Sequence, residues 1–242
     1  MLYIISMEIT KYYSTNFSKR RRSNKSITVL IIHYTGMQSE RESIERLSNP
    51  KFKVSSHYLI SRNGKIFRLI NDLNIAWHAG KSKWKKYVNL NKNSIGIELV
   101  NRGHRYGYQV FPKAQINSLV MLCKKLKKKY KIKNNNILGH SDVAPLRKVD
   151  PGEKFPWMYL STKGLGIYTK LNLTTNRSVK KSENKRFIKN LYKIGYRYLN
   201  KGSKKKIIKN FQRRYRQKCI NGILDLETLK ISEFLSKKTN IS

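Results

Sequence analysis

Residues Ile27 to Ile32 read Ile-Thr-Val-Leu-Ile-Ile, a nearly unbroken apolar run rich in β-branched side chains. Such a run predicts a strand buried on both faces. Residues 43–47 predict a short helix. Two short strands follow over 56–60 and 65–70, and Asn63-Gly64 between them is a strong hairpin turn signal. Ser94 to Val100, Ser-Ile-Gly-Ile-Glu-Leu-Val, predicts a second buried strand with one charge inside it. Pro112 opens a helix whose apolar positions Ile116, Leu119, Val120, Cys123, Leu126 and Tyr130 recur at 3–4 spacing, with lysines between them. A short strand over 136–139 then leads into His140.

Strands and helices thus alternate to about residue 160. This predicts an α/β domain over 27–168, with a mixed central sheet flanked by helices. Residues 169–184 are polar and aperiodic and read as a linker. Beyond them, Phe187, Leu191 and Ile194 form one apolar helix face, and Ile207, Ile208, Phe211 and Tyr215 form another. The turn Asn221-Gly222 and a last helix over 227–235 complete a small all-helical module at 185–240. Residues 1–26 are basic and polar and carry no core pattern beyond a short apolar start at 1–6, so they read as a poorly ordered segment.

Composition changes this picture in one respect. The 242 residues hold 53 Lys and Arg against 13 Asp and Glu, a formal net charge of +40. That favours polyanionic partners: nucleic acid, an acidic surface or a carboxylate-rich glycopeptide. The charge is spread along the chain, whereas nucleic-acid binders usually concentrate it on one face or arm. A compositional bias toward Lys, Asn and Ile accounts for it equally well. The two cysteines, Cys123 and Cys219, lie near no other Cys or His at ligand spacing and read as free thiols. The apolar start is too short for a secretory signal, Met7 is an alternative start, and no stretch is long and apolar enough to span a membrane.

The chemistry gathers on few residues. Of five histidines, His33 ends the first buried strand, at the sheet edge where α/β proteins build their sites. His140 follows another short strand and heads His-Ser-Asp-Val-Ala-Pro-Leu-Arg-Lys-Val-Asp-Pro-Gly. Pro145 and Pro151 stiffen this segment enough to return Asp150 toward His140. Two neutral imidazoles and one carboxylate suit zinc with a fourth position open. Asp142 is the competing carboxylate, and its closeness to His140 suits a supporting or turn-capping role instead. Glu98 lies in an apolar strand, so it is either paired with a cation or functional as a general base. Lys148, two residues before Asp150, projects to the same side in an extended segment and could stabilise an oxyanion. Trp77-His78-Ala79-Gly80 fits either a core-packed turn or a loop lining a binding groove.

Five segments together resemble the zinc N-acetylmuramoyl-L-alanine amidases of the AmpD/AmiD type, related to phage lysozyme amidases and peptidoglycan recognition proteins. They are Ile32–Thr35, Ser55–Ile60, Trp77–Gly80, Ser94–Leu99, and Gly139–His140 through Ala144–Gly152 with Phe155-Pro156-Trp157. The resemblance covers residues 27 to about 168. It implies His33, His140 and Asp150 as ligands of one zinc ion, Glu98 as catalytic base and Lys148 as the oxyanion-stabilising residue. It implies Tyr34, His57, Trp77, His78 and Ala79 along the substrate groove. Val100 stands where the family often carries a second acid, and His-Ser-Asp-Val replaces the usual His-Ala-Asp-Ile. The C-terminal unit resembles, more faintly, the three-helix peptidoglycan-binding domain, through Phe211–Tyr215, Asn221–Asp225 and Glu227-Thr228.

The implied activity is hydrolysis of the amide between N-acetylmuramic acid and L-alanine, by a monomer acting on peptidoglycan or muropeptides, with no specific nucleic acid as partner. A peptidoglycan-recognition module without catalysis is the competing class; it would lack a zinc ligand, and all three are in place. Without a secretory signal a complete chain would act in the cytoplasm on anhydro-muropeptides. A wall-binding module suggests the periplasm or cell envelope instead.

Overall fold

The protein is described from a computed structural model covering residues 8–171, 173, 176–199 and 204–239. The apolar start 1–6, Met7, positions 172, 174 and 175 of the expected linker, and 200–203 and 240 of the expected helical module lie outside the described residues.

The strands are β1 (Ile9–Lys11), β2 (Phe17–Ser18), β3 (Val29–Tyr34), β4 (Tyr58–Ile60), β5 (Ile66–Arg68), β6 (Ile75–Ala76), β7 (Lys83–Trp84), β8 (Tyr87–Val88), β9 (Ser94–Leu99) and β10 (Ile137–Gly139). The helices are α1 (Glu40–Ser48), α2 (Lys113–Tyr130), α3 (His140–Val143), α4 (Trp157–Thr162), α5 (Lys181–Ile194), α6 (Lys204–Tyr215) and α7 (Leu226–Lys238). They fall into two compact units, one of residues up to Gly80 with Asn91–Ile132, the other of Lys81–Leu90 with Lys133 onward.

The first unit holds five adjacent strands of a mixed sheet, in the order β1-β5-β4-β9-β3, and β10 belongs to the second unit. Strands β3, β9 and β4 run parallel, β4 and β5 form the hairpin expected from Asn63-Gly64, and β1 adds parallel to β5. Gly64 has φ +93°, the left-handed conformation such a turn requires. Every residue of β9 is buried, as are the first five of β3, which explains their apolar runs. Ser39 caps α1 by accepting from the Glu42 N–H. Helix α2 buries all six positions read from its periodicity, and Gln115 on it donates to the carbonyls of Ile60 and Val100. Burial pushes the Cys123 thiol up to about 12.

The N-terminal segment departs from expectation. Residues 9–11 form the edge strand β1 and residues 17–18 pair with β6. Arg22 is drawn inward, donating to the backbone carbonyls of Asp72, Asn91 and Ser94. A guanidinium satisfied by three carbonyls can be buried where a bare cation could not. Burial still pulls its pKa down to about 10.

In the second unit α5, α6 and α7 pack around Phe187, Leu191, Phe211, Leu229 and Leu235, all buried. The rings of Phe187 and Phe211 meet edge to face at 5.4 Å. The β7–β8 hairpin joins this core through Trp84, whose ring lies 5.0 Å from that of Tyr196. Gly195 allows that approach, since a Cβ there would fall 2.6 Å from the indole. No helix among the described residues is long and apolar enough to cross a membrane.

Candidate active site

Strand β3 delivers His33 at its fifth position. In the parallel register with β9, His33 is the Cα partner of Glu98, and Ile31 that of Gly96. Ser94, Gly96 and Glu98 alternate along β9, so they share one face, and His33 shares it with them. His33 and Glu98 are both buried.

His78 lies over this face. A Cβ on Gly96 would fall 2.5 Å from its ring, so glycine is what lets the imidazole rest on the strand. Its Nδ1 is 3.0 Å from Nε2 of His33, and its Nε2 is 3.2 Å from Ser94 Oγ. His78 and Ala79 N–H groups both donate to Asn91 Oδ1.

The other groove residues differ in access. His57 and Ala79 are completely enclosed and present no surface to a ligand. Nδ1 of His57 accepts from the Gly96 N–H at 3.0 Å, which leaves its proton on Nε2, 3.2 Å from the Asn74 carbonyl. Burial, reinforced by the Arg22 guanidinium 2.8 Å from Nε2, pulls His57 down to about 3. His57 therefore supports the sheet beneath the site as a neutral ring. His78 is buried as well, whereas Trp77 and Tyr34 keep partial exposure. Trp77 donates its indole N–H to Ser18 Oγ. Tyr34 contacts His104 Nδ1 through its hydroxyl at 2.9 Å, and Tyr108 stacks on His104 at 4.4 Å. Neither His104 nor Tyr108 was singled out by the sequence, because a Gly-rich loop of mixed aromatic and basic residues has no periodicity to read.

In the second unit His140 opens α3 directly after β10. Its Nδ1 lies 3.0 Å from Asp150 Oδ2, and the Asp150 carbonyl accepts from the Ser141 N–H at 2.9 Å. The ten-residue excursion thus closes on itself. Both residues are buried. Arg147, unremarked in the sequence, places Nη2 3.3 Å from Nε2 of His140 and donates from Nε to the Lys81 carbonyl. Lys148 is half-buried, and its N–H donates to the Ala144 carbonyl.

One ligand atom from each of His33, His140 and Asp150 lies within 4.8 Å of the others, and all three residues are buried. Two imidazoles and a carboxylate so grouped could hold a metal ion. Burying three titratable groups together is costly unless something compensates their charge, and a cation does so.

The sequence pattern of the N-acetylmuramoyl-L-alanine amidase family matches residues 23–153. The chain is 35% identical to N-acetylmuramoyl-L-alanine amidase AmiD of Escherichia coli K12 over 232 residues, spanning 88% of this chain and 83% of that protein. The structure of E. coli AmiD with anhydro-N-acetylmuramic acid-L-Ala-D-γ-Glu-L-Lys superposes with a TM-score of 0.80 at 32% identity, over 91% of this chain and 93% of that one. AmpDH3 of Pseudomonas aeruginosa, in complex with an anhydromuramic pentapeptide, superposes at 0.76 and 27% identity, over 93% and 96% of the two chains. The protein belongs to the N-acetylmuramoyl-L-alanine amidase family.

Proposed function

We propose that the protein hydrolyses the amide between N-acetylmuramic acid and L-alanine in anhydro-muropeptides or peptidoglycan, with one zinc ion held by His33, His140 and Asp150. The grouping of these three ligand atoms within 4.8 Å carries the reading. The donor set fits zinc: nitrogen and oxygen ligands only, and three in number, the set with which catalytic zinc sites leave a fourth position to water. Bound there, zinc would supply Lewis-acid polarisation and a more acidic water.

The chain's own residues do the rest. Glu98, beside His33 in the β3–β9 register, takes the proton from the attacking water as the lactyl carbonyl is attacked. It returns that proton to the amine of L-alanine as the C–N bond breaks. Lys148, on the segment that ends at Asp150, stabilises the oxyanion. Tyr34 and Trp77, both partly exposed, line the groove. The net charge of +40 attracts the carboxylates of stem peptides.

The test is to incubate the purified protein with soluble anhydro-muropeptides and with intact sacculi, with and without a chelator, and to identify the products. Release of L-alanine-headed peptides, abolished by chelation and restored by zinc, is expected. Undiminished cleavage after metal removal, or cleavage at another bond, would overturn the proposal.

A further inference from the structure

Helix α6 meets the segment that carries His140, Lys148 and Asp150 through buried polar contacts. Arg214 donates from Nη1 to Asp142 Oδ2 and from Nη2 to the Ile137 carbonyl at 3.0 Å. Its guanidinium lies 4.0 Å above the Trp157 ring. Tyr196 donates to the other oxygen of Asp142 at 2.6 Å, and the Gly139 N–H donates to Oδ2 at 2.7 Å. Asn210 donates to the carbonyls of Pro145 and Lys148. Arg213 steadies the Asn210 side-chain oxygen and pairs with Glu153 at 3.1 Å. Gln217, just past the helix, donates to the Phe155 carbonyl at 2.7 Å.

The contacts from the C-terminal residues fall at 137, 142, 145, 148, 153 and 155, on both sides of each residue that carries the chemistry. Asp142, Arg214 and Asn210 are each less than 5% exposed. A module tethered only to hold the enzyme on its substrate needs few contacts of this kind, and inter-domain surfaces are ordinarily polar and wet. An ion pair at 3% and 1% side-chain exposure is instead a fixed point: neither partner tolerates loss of the other. A turn-rich segment has little regular hydrogen bonding of its own, so its conformation is set by whatever satisfies its carbonyls.

We infer that Asn210 and Arg214, with Tyr196, are positioning residues that set the geometry of the His140–Asp150 segment. The C-terminal helices are then part of the catalytic apparatus and not only an anchor. The inference rests on the reading of His140 and Asp150 as zinc ligands. Groups that orient metal ligands typically change metal affinity or activity 10–100-fold when removed.

The test compares Asn210→Ala and Arg214→Lys with the wild-type full chain. A control, Asn190→Ala, removes the buried Asn190–Ser232 hydrogen bond between α5 and α7 without touching the segment. Four quantities are read well below the unfolding temperature: kcat and KM on a soluble anhydro-muropeptide, zinc affinity against a chelator, the visible spectrum of the Co2+ form, and binding to sacculi. For Asn210→Ala we expect kcat and zinc affinity each to fall about 10-fold or more, with KM nearly unchanged. The Co2+ spectrum should shift, and Asn190→Ala should match wild type in all four readouts. If Arg214→Lys fails to fold, Asn210→Ala alone decides. A folded Asn210→Ala with wild-type kcat, zinc affinity and Co2+ spectrum overturns the inference, as does equal loss in Asn190→Ala. Failure of the underlying reading looks different: the wild-type protein itself would show no zinc-dependent cleavage.

Discussion

His33 and Glu98 stand directly opposite each other in the parallel register of β3 and β9. One is a candidate metal ligand, the other a candidate proton carrier, and both are buried on the same sheet face. The register is fixed by two strands buried over nearly their whole length, since a one-residue slip would turn one of the pair to the opposite face. A general base placed in this way contributes about 10²–10⁴-fold. Glu98→Gln should therefore lower kcat on a muropeptide by about that factor while zinc stoichiometry stays at wild type. Turnover close to wild type would remove Glu98 from the mechanism.

Gly96 carries the second prediction. An added Cβ would lie 2.5–2.8 Å from three atoms of the His78 ring. The ring must move, and with it the 3.0 Å contact to His33. Overpacking of this kind costs about 1–3 kcal/mol, so Gly96→Ala should lower stability to urea by that amount. If His78 orients His33, zinc affinity should drop about 10–100-fold as well. Equilibrium unfolding and chelator competition measure the two effects separately. Loss of stability with unchanged zinc affinity would show that His78 only packs.

Much of this site was readable before the fold was. His33 and Glu98 stood out because they interrupt or end apolar runs, where a charge or imidazole demands a reason. The His140–Asp150 return was readable from two prolines and a spacing. Other parts were hidden by kind. Arg22 sits in the run Arg20-Arg21-Arg22 and looks solvated, yet it is satisfied by carbonyls 50 to 72 positions away. No local pattern encodes such distant partners. Strand β1 has three residues and no alternation long enough to recognise; the edge of β5 makes it a strand. Arg214 is one more cation in a very basic helix until Asp142 is seen beside it. His57 and His78 carry the same letter and are both buried, and only their contacts, to the Gly96 N–H for one and to His33 Nε2 for the other, separate a sheet support from a neighbour of His33.

His57 makes stability depend on acid. Its folded pKa is about 3, lowered first by burial and then by Arg22; an unfolded histidine titrates near about 6.5. Between these values the unfolded chain takes up a proton that the folded chain refuses. Stability from this group is thus complete above about pH 6.5 and declines as pH falls toward 3, by on the order of 5 kcal/mol in full. Urea unfolding from pH 7 to pH 4.5 should show the decline. His57→Gln, which cannot protonate, should start less stable and flatten the slope; parallel slopes in the two proteins would rule the histidine out as its source.

Asp72 contributes in the same direction at lower pH. Burial raises its pKa, but hydrogen bonds from the Tyr130 and Tyr58 hydroxyls, both 2.6 Å, and from Lys129 outweigh burial and leave it lowered. Its stabilisation is present above the unfolded value of about 3.9 and is lost as pH falls through the lower folded value. Asp72→Ala leaves two tyrosine hydroxyls without their acceptor and should cost about 2–4 kcal/mol at pH 7. The loss should shrink as pH falls through the lowered folded value, where the wild-type carboxyl takes up its proton. A cost that does not vary with pH would assign the effect to packing.

Metal binding should itself be visible as stability. Whatever binds the folded chain and not the unfolded one stabilises it by RT ln(1 + [L]/Kd), about 4 kcal/mol at a free concentration 1,000 times Kd. His33, His140 and Asp150 are buried together, where a bound cation would add its own attraction to the carboxylate and the two imidazoles. Chelation should lower the unfolding temperature, and zinc should restore it in a concentration-dependent way. His33→Ala removes one of the three donors and should abolish most of the zinc-dependent shift. Glu98→Gln should retain it, because Glu98 is not among the grouped donors. A shift of equal size in His33→Ala would place the stabilising zinc at a different site and leave the proposed ligand set without support.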